Sequence, residues 1–452
     1  MALSRDHRVV FIGLLALASS AAFILFFSSP LPWQDAVQYD RLAYNIAAGH
    51  GYSLSAAAPF SPTMFREPAY PFFLALIYKI FGHSTRCALF AQAVLHALTA
   101  MLSYFMAKDA FSEGAGLISG VFVAVFPALA NMPAYIMSET FFTFMLALAV
   151  YIYSRAIKGG RAGWFVMAGI AFAIASLTKA VSILLPLLLV SVTLAASALK
   201  KRFTKGLAIR LLCFLIIFAA VLLPWAFRNK ARFNTYSITF RSGELLWSRA
   251  EKIDDPLRIV LASACYNFSE YLGHKIFPDV TDRPERYLYK DFDRAQAIRK
   301  EYADRGYAPD QIDGIFQKEA ARKISGHPFR YLSYTFVEGI KMTAFTYLPL
   351  LNEAHVAASF NDHYEDGVFK LSLLKGIARL LAYPFIIMSL IGIVKNISVS
   401  DRWIVLFAVI LYFNLIYSLL DAIGRYALPL IPFYCIFAAA AFFPARQNNR
   451  SI

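Results

Sequence analysis

The sequence predicts an all-α, polytopic membrane protein. Hydrophobic residues make up 59% of the 452-residue chain and charged residues only 16%, whereas soluble domains are roughly one quarter charged. The mean hydropathy is +0.53, and the apolar runs are long enough to cross a bilayer as helices. The first run is interpreted as an uncleaved span. About ten spans are predicted, at residues 9–28, 87–107, 114–131, 138–156, 163–178, 181–199, 208–227, 376–394, 403–420 and 427–444.

The basic residues fix the orientation. With the N-terminus in the cytoplasm, the loops on that side receive nearly every basic cluster, as the positive-inside rule requires. A net charge of +15 therefore reflects topology rather than nucleic-acid binding. The cytoplasmic residues would be Arg5, Arg8, Lys108, Lys158, Arg161, the run LKKRFTK at 199–205, Lys395, Arg402, Arg446 and Arg450.

This orientation places two large segments, 28–86 and 228–375, on the outer face. Two apolar stretches in them fit spans poorly: 70–82 is too short, and 329–350 carries central charges. Both are predicted to be helices at the outer interface. The predicted domains are a transmembrane catalytic module at 1–232, with its first outer loop at 29–86, a periplasmic segment at 233–375 and C-terminal transmembrane helices at 376–452.

The first outer loop begins with WQDAVQYDRLAYNIAAGHGYS, from Trp33 to Ser53. A short helix is predicted here, with Asp35 and Tyr39 on one face and Asp40 about 140° away. The two carboxylates therefore need not share a role. Asp35 as a plain helix cap is an equally good interpretation of its position.

Further charged residues are expected on the same outer side. Each could instead be a helix cap, an interfacial anchor or a snorkelling cation. Glu139 is harder to explain in that way, because a carboxylate at the mouth of a span is costly unless it is used or paired. Acids and cations at one membrane face suit a substrate with a lipid tail and a phosphate. The residues are Arg66, Glu67, Ser138, Glu139, Lys179, Arg228, Asn229, Asp421, Arg425 and Tyr426.

Several of these motifs resemble a known family. The D-x3-Y pattern at Asp35, the later G-x-G-Y-S and REPAYP, together with LPWAFRN and RYALPLIP, resemble the polyprenyl-phosphate-sugar-dependent glycosyltransferases of the GT-C fold. Bacterial members related to protein O-mannosyltransferases, aminoarabinose transferases and lipid A galacturonosyltransferases are the nearest look-alikes. The resemblance covers the first 230 residues and, less closely, the last 70, and it implies a GT-C-like bundle with outer juxtamembrane helices and a mixed periplasmic segment.

The resemblance also implies roles. Asp35 would be the general base of an inverting transfer, and Glu139 would orient the acceptor or the base. Where many relatives carry a second acid, this chain has Ala36, which shifts work to Asp40 or Glu67. Glu67 falls where relatives carry an acidic residue that can help bind a divalent metal ion. A further ligand could come from His274, His327, His355 or His363, although no metal-type spacing is visible. The lipid phosphate would be held by Tyr39, Arg66, Lys179, Arg228, Arg425 and Tyr426.

The function that the resemblance implies is sugar transfer from a polyprenyl-phosphate donor at the periplasmic face of the bacterial inner membrane. The acceptor stays open between lipid A, lipopolysaccharide core, another glycan and a protein. A transporter or flippase of lipid-linked sugars is the main alternative, but its polar residues should lie near the bilayer midplane. A structural or assembly factor would leave the outer acids and arginines unexplained.

Overall fold

A computed structural model describes most of the chain. The described residues are 5–31, 34–239, 242–268, 270–281, 290–343, 380, 382–397, 401–420, 422 and 424–443.

Nearly all described residues are helical, and the pairing of Ser53 with Pro62 is an isolated bridge outside any strand. The chain divides into two compact units. The first unit comprises Met1–Pro224, Pro384–Phe413 and Leu428–Ile452, and the second comprises Trp225–Tyr383 and Asn414–Ala427. These units describe packing, and the functional boundaries predicted at 232 and 375 stay predictions.

The first unit is a bundle of mostly apolar helices. Its helices are α1 (Arg5–Phe27), α2 (Gln34–Ala47), α3 (Ala69–Phe81), α4 (Thr85–Ala110), α5 (Glu113–Val125), α6 (Pro127–Asn131), α7 (Ser138–Gly159), α8 (Ala162–Ser176), α9 (Leu185–Leu199) and α10 (Lys205–Phe233, which continues into the second unit).

The second unit and the C-terminal part supply the remaining helices. These are α11 (Ser242–Glu251), α12 (Leu257–Phe268), α13 (Glu270–Ile276), α14 (Pro278–Thr281), α15 (Lys290–Asp304), α16 (Pro309–Gly326), α17 (Pro328–Thr343), α18 (Ala382–Lys395), α19 (Asp401–Leu420) and α20 (Ile431–Phe442), the last preceded by a 3₁₀ segment at Gly424–Leu430.

Seven of the described helices are long and apolar enough to cross a membrane. The pair α5 and α6 makes an eighth if it is one span, bent by 50° where Phe126 and Pro127 interrupt the helix. Two predicted spans, 163–178 and 376–394, correspond to the shorter helices α8 and α18. With 15 residues, α8 reaches about 22 Å, against a hydrocarbon core of about 30 Å. The polytopic all-α fold is confirmed, and the count of ten spans is not.

Small residues allow close packing in the first unit. A Cβ built on Gly120 of α5 would lie 2.7 Å from Ile12 Cδ1, and one on Gly116 would lie 2.9 Å from the carbonyl oxygen of Tyr104. The two glycines are four residues apart and face α1 and α4. This is the small-residue spacing that lets membrane helices approach, since apolar surface alone does not drive association in lipid.

A buried amide holds the outer loops on this bundle. The Gln92 side chain accepts a hydrogen bond from Tyr70 Oη at 2.8 Å and donates to the carbonyl oxygens of Tyr135, at 2.8 Å, and Pro133, at 3.2 Å. Gln92 is fully buried. Because each of its polar atoms has a partner, the amide contributes specificity without an unsatisfied group. It joins α3, α4 and the segment before α7, which frame the candidate site.

The second unit has its own hydrophobic core. Trp247 and Phe316 pack with their ring centroids 5.3 Å apart, and ion pairs surround them, such as Arg299 with Glu244 at 2.6 Å. The stretch predicted at 329–350 begins with helix α17, in which Glu338 is buried, and residues 344–350 lie outside the described residues. The core residues are Trp247, Ala250, Ile253, Ala295, Ile312, Phe316, Ala320 and Tyr331.

Candidate active site

Helix α2 carries the first candidate residues. Asp35 lies in its first turn, where a negative charge interacts favourably with the helix dipole. The helix ends before Gly49 and Gly51, which both adopt φ +82°, a conformation that glycine takes at little cost. The buried face is Ala36, Tyr39, Leu42, Ala43 and Asn45.

The Asp35 carboxylate pairs with an arginine from the following loop. Arg66 Nη2 donates to Asp35 Oδ1. The same guanidinium donates to Gln38 Oε1 from Nε at 2.9 Å and from Nη2 at 2.6 Å. Asp35 keeps 24% of its side chain exposed, whereas the Arg66 side chain is 6% exposed. The carboxylate is therefore held from one side and accessible from another.

Arg66 is also enclosed by aromatic rings. Its guanidinium carbon lies 5.1 Å from the centroid of Tyr39 and 5.2 Å from that of Phe65. Burial alone would lower the pKa of Arg66, but the electrostatic interactions with Tyr39 and Asp35 and the hydrogen bond to Asp35 raise it. The guanidinium is thus a fixed, permanently charged group.

Tyr39 lies at the centre of the charged residues. Burial raises the pKa of its phenol; Arg66 and Lys179 act to lower it, and Glu67 and Asp35 act to raise it further. Tyr39 Oη donates to Ser138 Oγ at 3.3 Å, at the start of α7. The phenol therefore stays protonated and connects α2 to the mouth of the predicted span.

Two loops meet beside Tyr39. The backbone N–H of Ala69 donates to the carbonyl oxygen of Leu177 at 2.9 Å, and that of Ala180 donates to Glu67 Oε1 at 3.4 Å. Tyr52 Oη bonds the carbonyl oxygens of Arg66, at 2.8 Å, and Glu67, at 3.1 Å. These contacts bring Glu67 close to the loop that carries Lys179.

Glu139 and Lys179 form an ion pair next to the contact between these two loops. Lys179 Nζ lies 3.1 Å from Glu139 Oε1, with side-chain exposures of 16% and 2%. Glu139 occupies the first turn of α7, and Lys179 follows α8. Glu139 also lines a small cavity with His96, Thr99 and Thr143. The lysine compensates the negative charge of the buried carboxylate, which would be costly without a partner.

Asp40 has different partners. Tyr78 Oη donates to Asp40 Oδ1 at 2.7 Å, and His83 Nε2 lies 2.8 Å from the same oxygen. Tyr78 belongs to α3, and His83 follows that helix. The roughly 140° separation from Asp35 thus gives Asp40 a separate environment, in which it links α2 to the end of α3.

Three predicted phosphate-binding residues belong to the second unit. Arg228 donates from Nη1 to Asn229 Oδ1 at 2.8 Å, and its guanidinium carbon lies 4.6 Å from the Trp225 ring centroid. Arg425 lies over the ring of Tyr426 at 5.8 Å. Asp421 falls outside the described residues. The binding roles of Arg228, Arg425 and Tyr426 stay predictions.

The described residues form no cluster of metal ligands. Among them, no group of three His, Cys, Asp or Glu side chains could hold an ion together. Asp35 contacts Arg66, and Glu67 accepts from a backbone amide. The candidate residues therefore do not fit the metal ion that the resemblance implies. Of the four histidines considered as ligands, His274 and His327 are described, and His355 and His363 lie outside the described residues.

Sequence reasoning missed the role of Gln38. No motif marks it, because a single glutamine on a helix surface is ordinary. A three-residue offset from Asp35 places the two side chains on neighbouring positions of the helix surface, and that spacing was the available signal. Arg66 was expected at the lipid phosphate, and the structure gives it Asp35 and Gln38 as partners.

Part of the chain matches a known family profile. Residues 62–225 match the profile of the dolichyl-phosphate-mannose-protein mannosyltransferases. That segment contains Arg66, Glu67, Glu139 and Lys179, and it begins after α2. No curated protein sequence matches the chain significantly.

One solved structure shares the fold, and a second is similar at a lower TM-score. The archaeal oligosaccharyltransferase AglB from Archaeoglobus fulgidus, in complex with an inhibitory peptide and a dolichol-phosphate, is 12% identical with a TM-score of 0.53, over 97% of this chain and 50% of that chain. The chain thus spans about half the length of that enzyme. ArnT from Cupriavidus metallidurans, bound to undecaprenyl phosphate, is 16% identical with a TM-score of 0.43, over 97% of this chain and 78% of that chain.

The family match and the fold confirm the resemblance that the motifs indicate. Residues 62–225 thus carry the profile of that family, and the chain shares its fold with the archaeal oligosaccharyltransferase.

Proposed function

We propose that the protein transfers a sugar from a polyprenyl phosphate to an acceptor at the periplasmic face of the bacterial inner membrane, with inversion and with Asp35 as general base. The observation that carries the proposal is the carboxylate of Asp35, which is fixed by Arg66 yet 24% exposed. A base must be held in one geometry and must also reach its substrate.

The profile match and the shared fold support the proposed donor class. The matching family is named for a dolichyl-phosphate-linked sugar donor, and the AglB structure that shares the fold contains a dolichol-phosphate. A lipid donor suits a bundle of apolar helices with a charged cluster at one end. Acceptors of this class range from lipid A and lipopolysaccharide to other glycans and proteins.

The chemistry is a single displacement at the anomeric carbon. An acceptor hydroxyl attacks opposite the phosphate, so that a carbon–oxygen bond to the acceptor forms as the bond to the lipid-phosphate oxygen breaks. The hydroxyl proton passes to an Asp35 oxygen. The lipid phosphate leaves with the bonding electrons and gains negative charge. In-line attack inverts the configuration at the sugar.

Cations would stabilise the leaving phosphate. Charge that develops in a transition state is best met by groups already in place. Lys179 lies in the described cluster, and Arg228 and Arg425 are the candidates from the second unit. Glu139 fixes Lys179 through their ion pair, so its role in this proposal is to orient that cation.

The periplasmic location rests on the distribution of basic residues. Lys108, Lys158, Lys200 and Lys201 belong to loops that the positive-inside rule assigns to the cytoplasm. Asp35 follows α1, which begins near Arg5 and Arg8, and Glu139, the partner of Lys179, lies at the end of α7 opposite Lys158. The cluster would therefore face the periplasm.

The test compares surface glycans of a deletion strain with those of wild type by mass spectrometry. We expect one sugar residue to disappear in the deletion strain and to return with the wild-type gene. Asp35→Asn should reach normal membrane levels and fail to restore the sugar. Asp304→Asn, at an exposed position of α15, is the matched control and should restore it. Normal glycans with Asp35→Asn would rule out the assigned base.

A further inference from the structure

We propose that Arg66 is the counter-ion of Asp35 and occupies the position that a divalent metal ion would otherwise take, so that this chain needs no divalent cation for transfer. The inference rests on the proposed function, because Asp35 is its base. It adds the cofactor requirement of that site and gives Gln38 a positioning role.

The contacts of Arg66 use the oxygens that a metal would need. Its Nη2 donates to Asp35 Oδ1, and Nε and Nη2 both donate to Gln38 Oε1. Hard divalent cations bind through oxygens of this kind, and Mg²⁺ requires a near-octahedral set of them. With the guanidinium in place, a metal ion would have to displace it from both oxygens.

Arg66 is not free to move aside at low cost. Its side chain is 6% exposed and lies over the rings of Tyr39 and Phe65. Tyr52 Oη donates to the carbonyl oxygens of Arg66 and Glu67, which holds the backbone here. Because side chain and backbone are both held, moving the guanidinium away would leave Asp35 partly buried without its cation, which is costly.

The cations already present around Asp35 also disfavour a metal ion. The cluster contains three carboxylates and two cations. Four of the five charged groups act electrostatically on Tyr39, and the fifth, Glu139, is paired with Lys179. The carboxylates are Asp35, Glu67 and Glu139, and the cations are Arg66 and Lys179. Arg66 and Lys179 thus already compensate two of the three carboxylates. A divalent ion bound next to Arg66 would be repelled by the positive charge of the guanidinium.

The guanidinium has one further consequence for Asp35. A charge-assisted hydrogen bond favours the ionised form of a carboxylate and fixes its orientation. Gln38 holds the guanidinium by two hydrogen bonds without neutralising it. Arg66 and Gln38 are therefore positioning residues, and Asp35 remains the group that meets the substrate.

Metal binding is tested on the purified full-length protein by titration with MnCl₂ followed by electron paramagnetic resonance. We expect wild type and the control Arg86→Gln, at an exposed position of α4, to take up no stoichiometric Mn²⁺. Uptake by wild type that is lost in Asp35→Asn would overturn the inference. Mn²⁺ uptake by Arg66→Gln that disappears in Arg66→Gln/Asp35→Asn would show directly that the guanidinium holds the ion's place.

Transfer is measured in membranes that contain the endogenous lipid-linked donor, with and without EDTA. Wild type should lose no activity with EDTA. Arg66→Gln should lose at least about tenfold, and the acidic limb of its pH–rate profile should move to higher pH, because the carboxylate loses its cation. Arg66→Lys should recover part of both effects, which a merely structural residue would not produce.

Failure of the inference and failure of the proposed function give different experimental results. Loss of wild-type transfer with EDTA and its return with Mn²⁺ would sink the inference and leave the proposed function intact. Wild-type-like transfer and pH profile in Arg66→Gln would do the same. Absence of transfer under all conditions would remove the proposed function, while the Mn²⁺ titration would still decide which cation accompanies Asp35.

Discussion

Glu139 at the start of α7 and Lys179 after α8 form an ion pair, with Nζ 3.1 Å from Oε1 and the carboxylate side chain 2% exposed. The pair joins two predicted spans beside Tyr39. A carboxylate this deep depends on its cation, because removing one partner of a buried pair leaves an uncompensated charge.

This dependence gives a double-mutant test in detergent. Lys179→Met should lower the free energy of unfolding by about 3 kcal/mol, since Glu139 remains charged and buried. Glu139→Gln/Lys179→Met should recover a large part of that loss. Thermal unfolding of the single and double variants measures the coupling. Strictly additive effects would show that the pair contributes nothing.

Gln38 should affect transfer through Arg66. Gln38→Leu removes the acceptor of two hydrogen bonds and should cost about 1 kcal/mol of stability. We expect a reduced kcat with little change in KM, because Gln38 orients a group that acts on the base. Gln38→Glu keeps an acceptor and should retain more activity than Gln38→Leu. An unaltered kcat in Gln38→Leu would contradict the positioning role.

The orientation is testable without any substrate. A reporter that is active only in the periplasm, fused after Lys252, should be active. Lys252 follows α11 in the second unit, which the basic loops assign to the outer side. A fusion after Lys201 is the control and should be inactive. The reverse pattern would place the charged cluster in the cytoplasm.

Close packing at Gly120 should be intolerant of larger residues. A Cβ there would lie 2.7 Å from Ile12 Cδ1 and 3.1 Å from Tyr104 Cβ. Gly120→Val should therefore lower the unfolding midpoint, at a cost of about 1–3 kcal/mol. Gly163→Val is the comparison, because nothing lies within 4 Å of its Cβ position. Equal stability of the two variants would contradict the packing of α5 on α1.

The fold class follows from the sequence because burial in a bilayer imposes strong local requirements. Every backbone polar group in lipid must be paired within its own helix, so long apolar runs predict helices. Span length was less predictable. The run at 163–178 was predicted to be a span, but it forms the 15-residue helix α8, which is shorter than the hydrocarbon core.

The sequence by itself determined the all-α membrane architecture, the short helix that begins near Asp35, and the separation of Asp35 from Asp40 around that helix. All of these depend on local periodicity and hydropathy. The tertiary structure decided the partners: Arg66 and Gln38 for Asp35, Lys179 for Glu139, and Tyr78 and His83 for Asp40. Except for Gln38, these partners are 31–43 residues distant. No local pattern encodes such pairings, because they are set by how loops and helices pack around a common site.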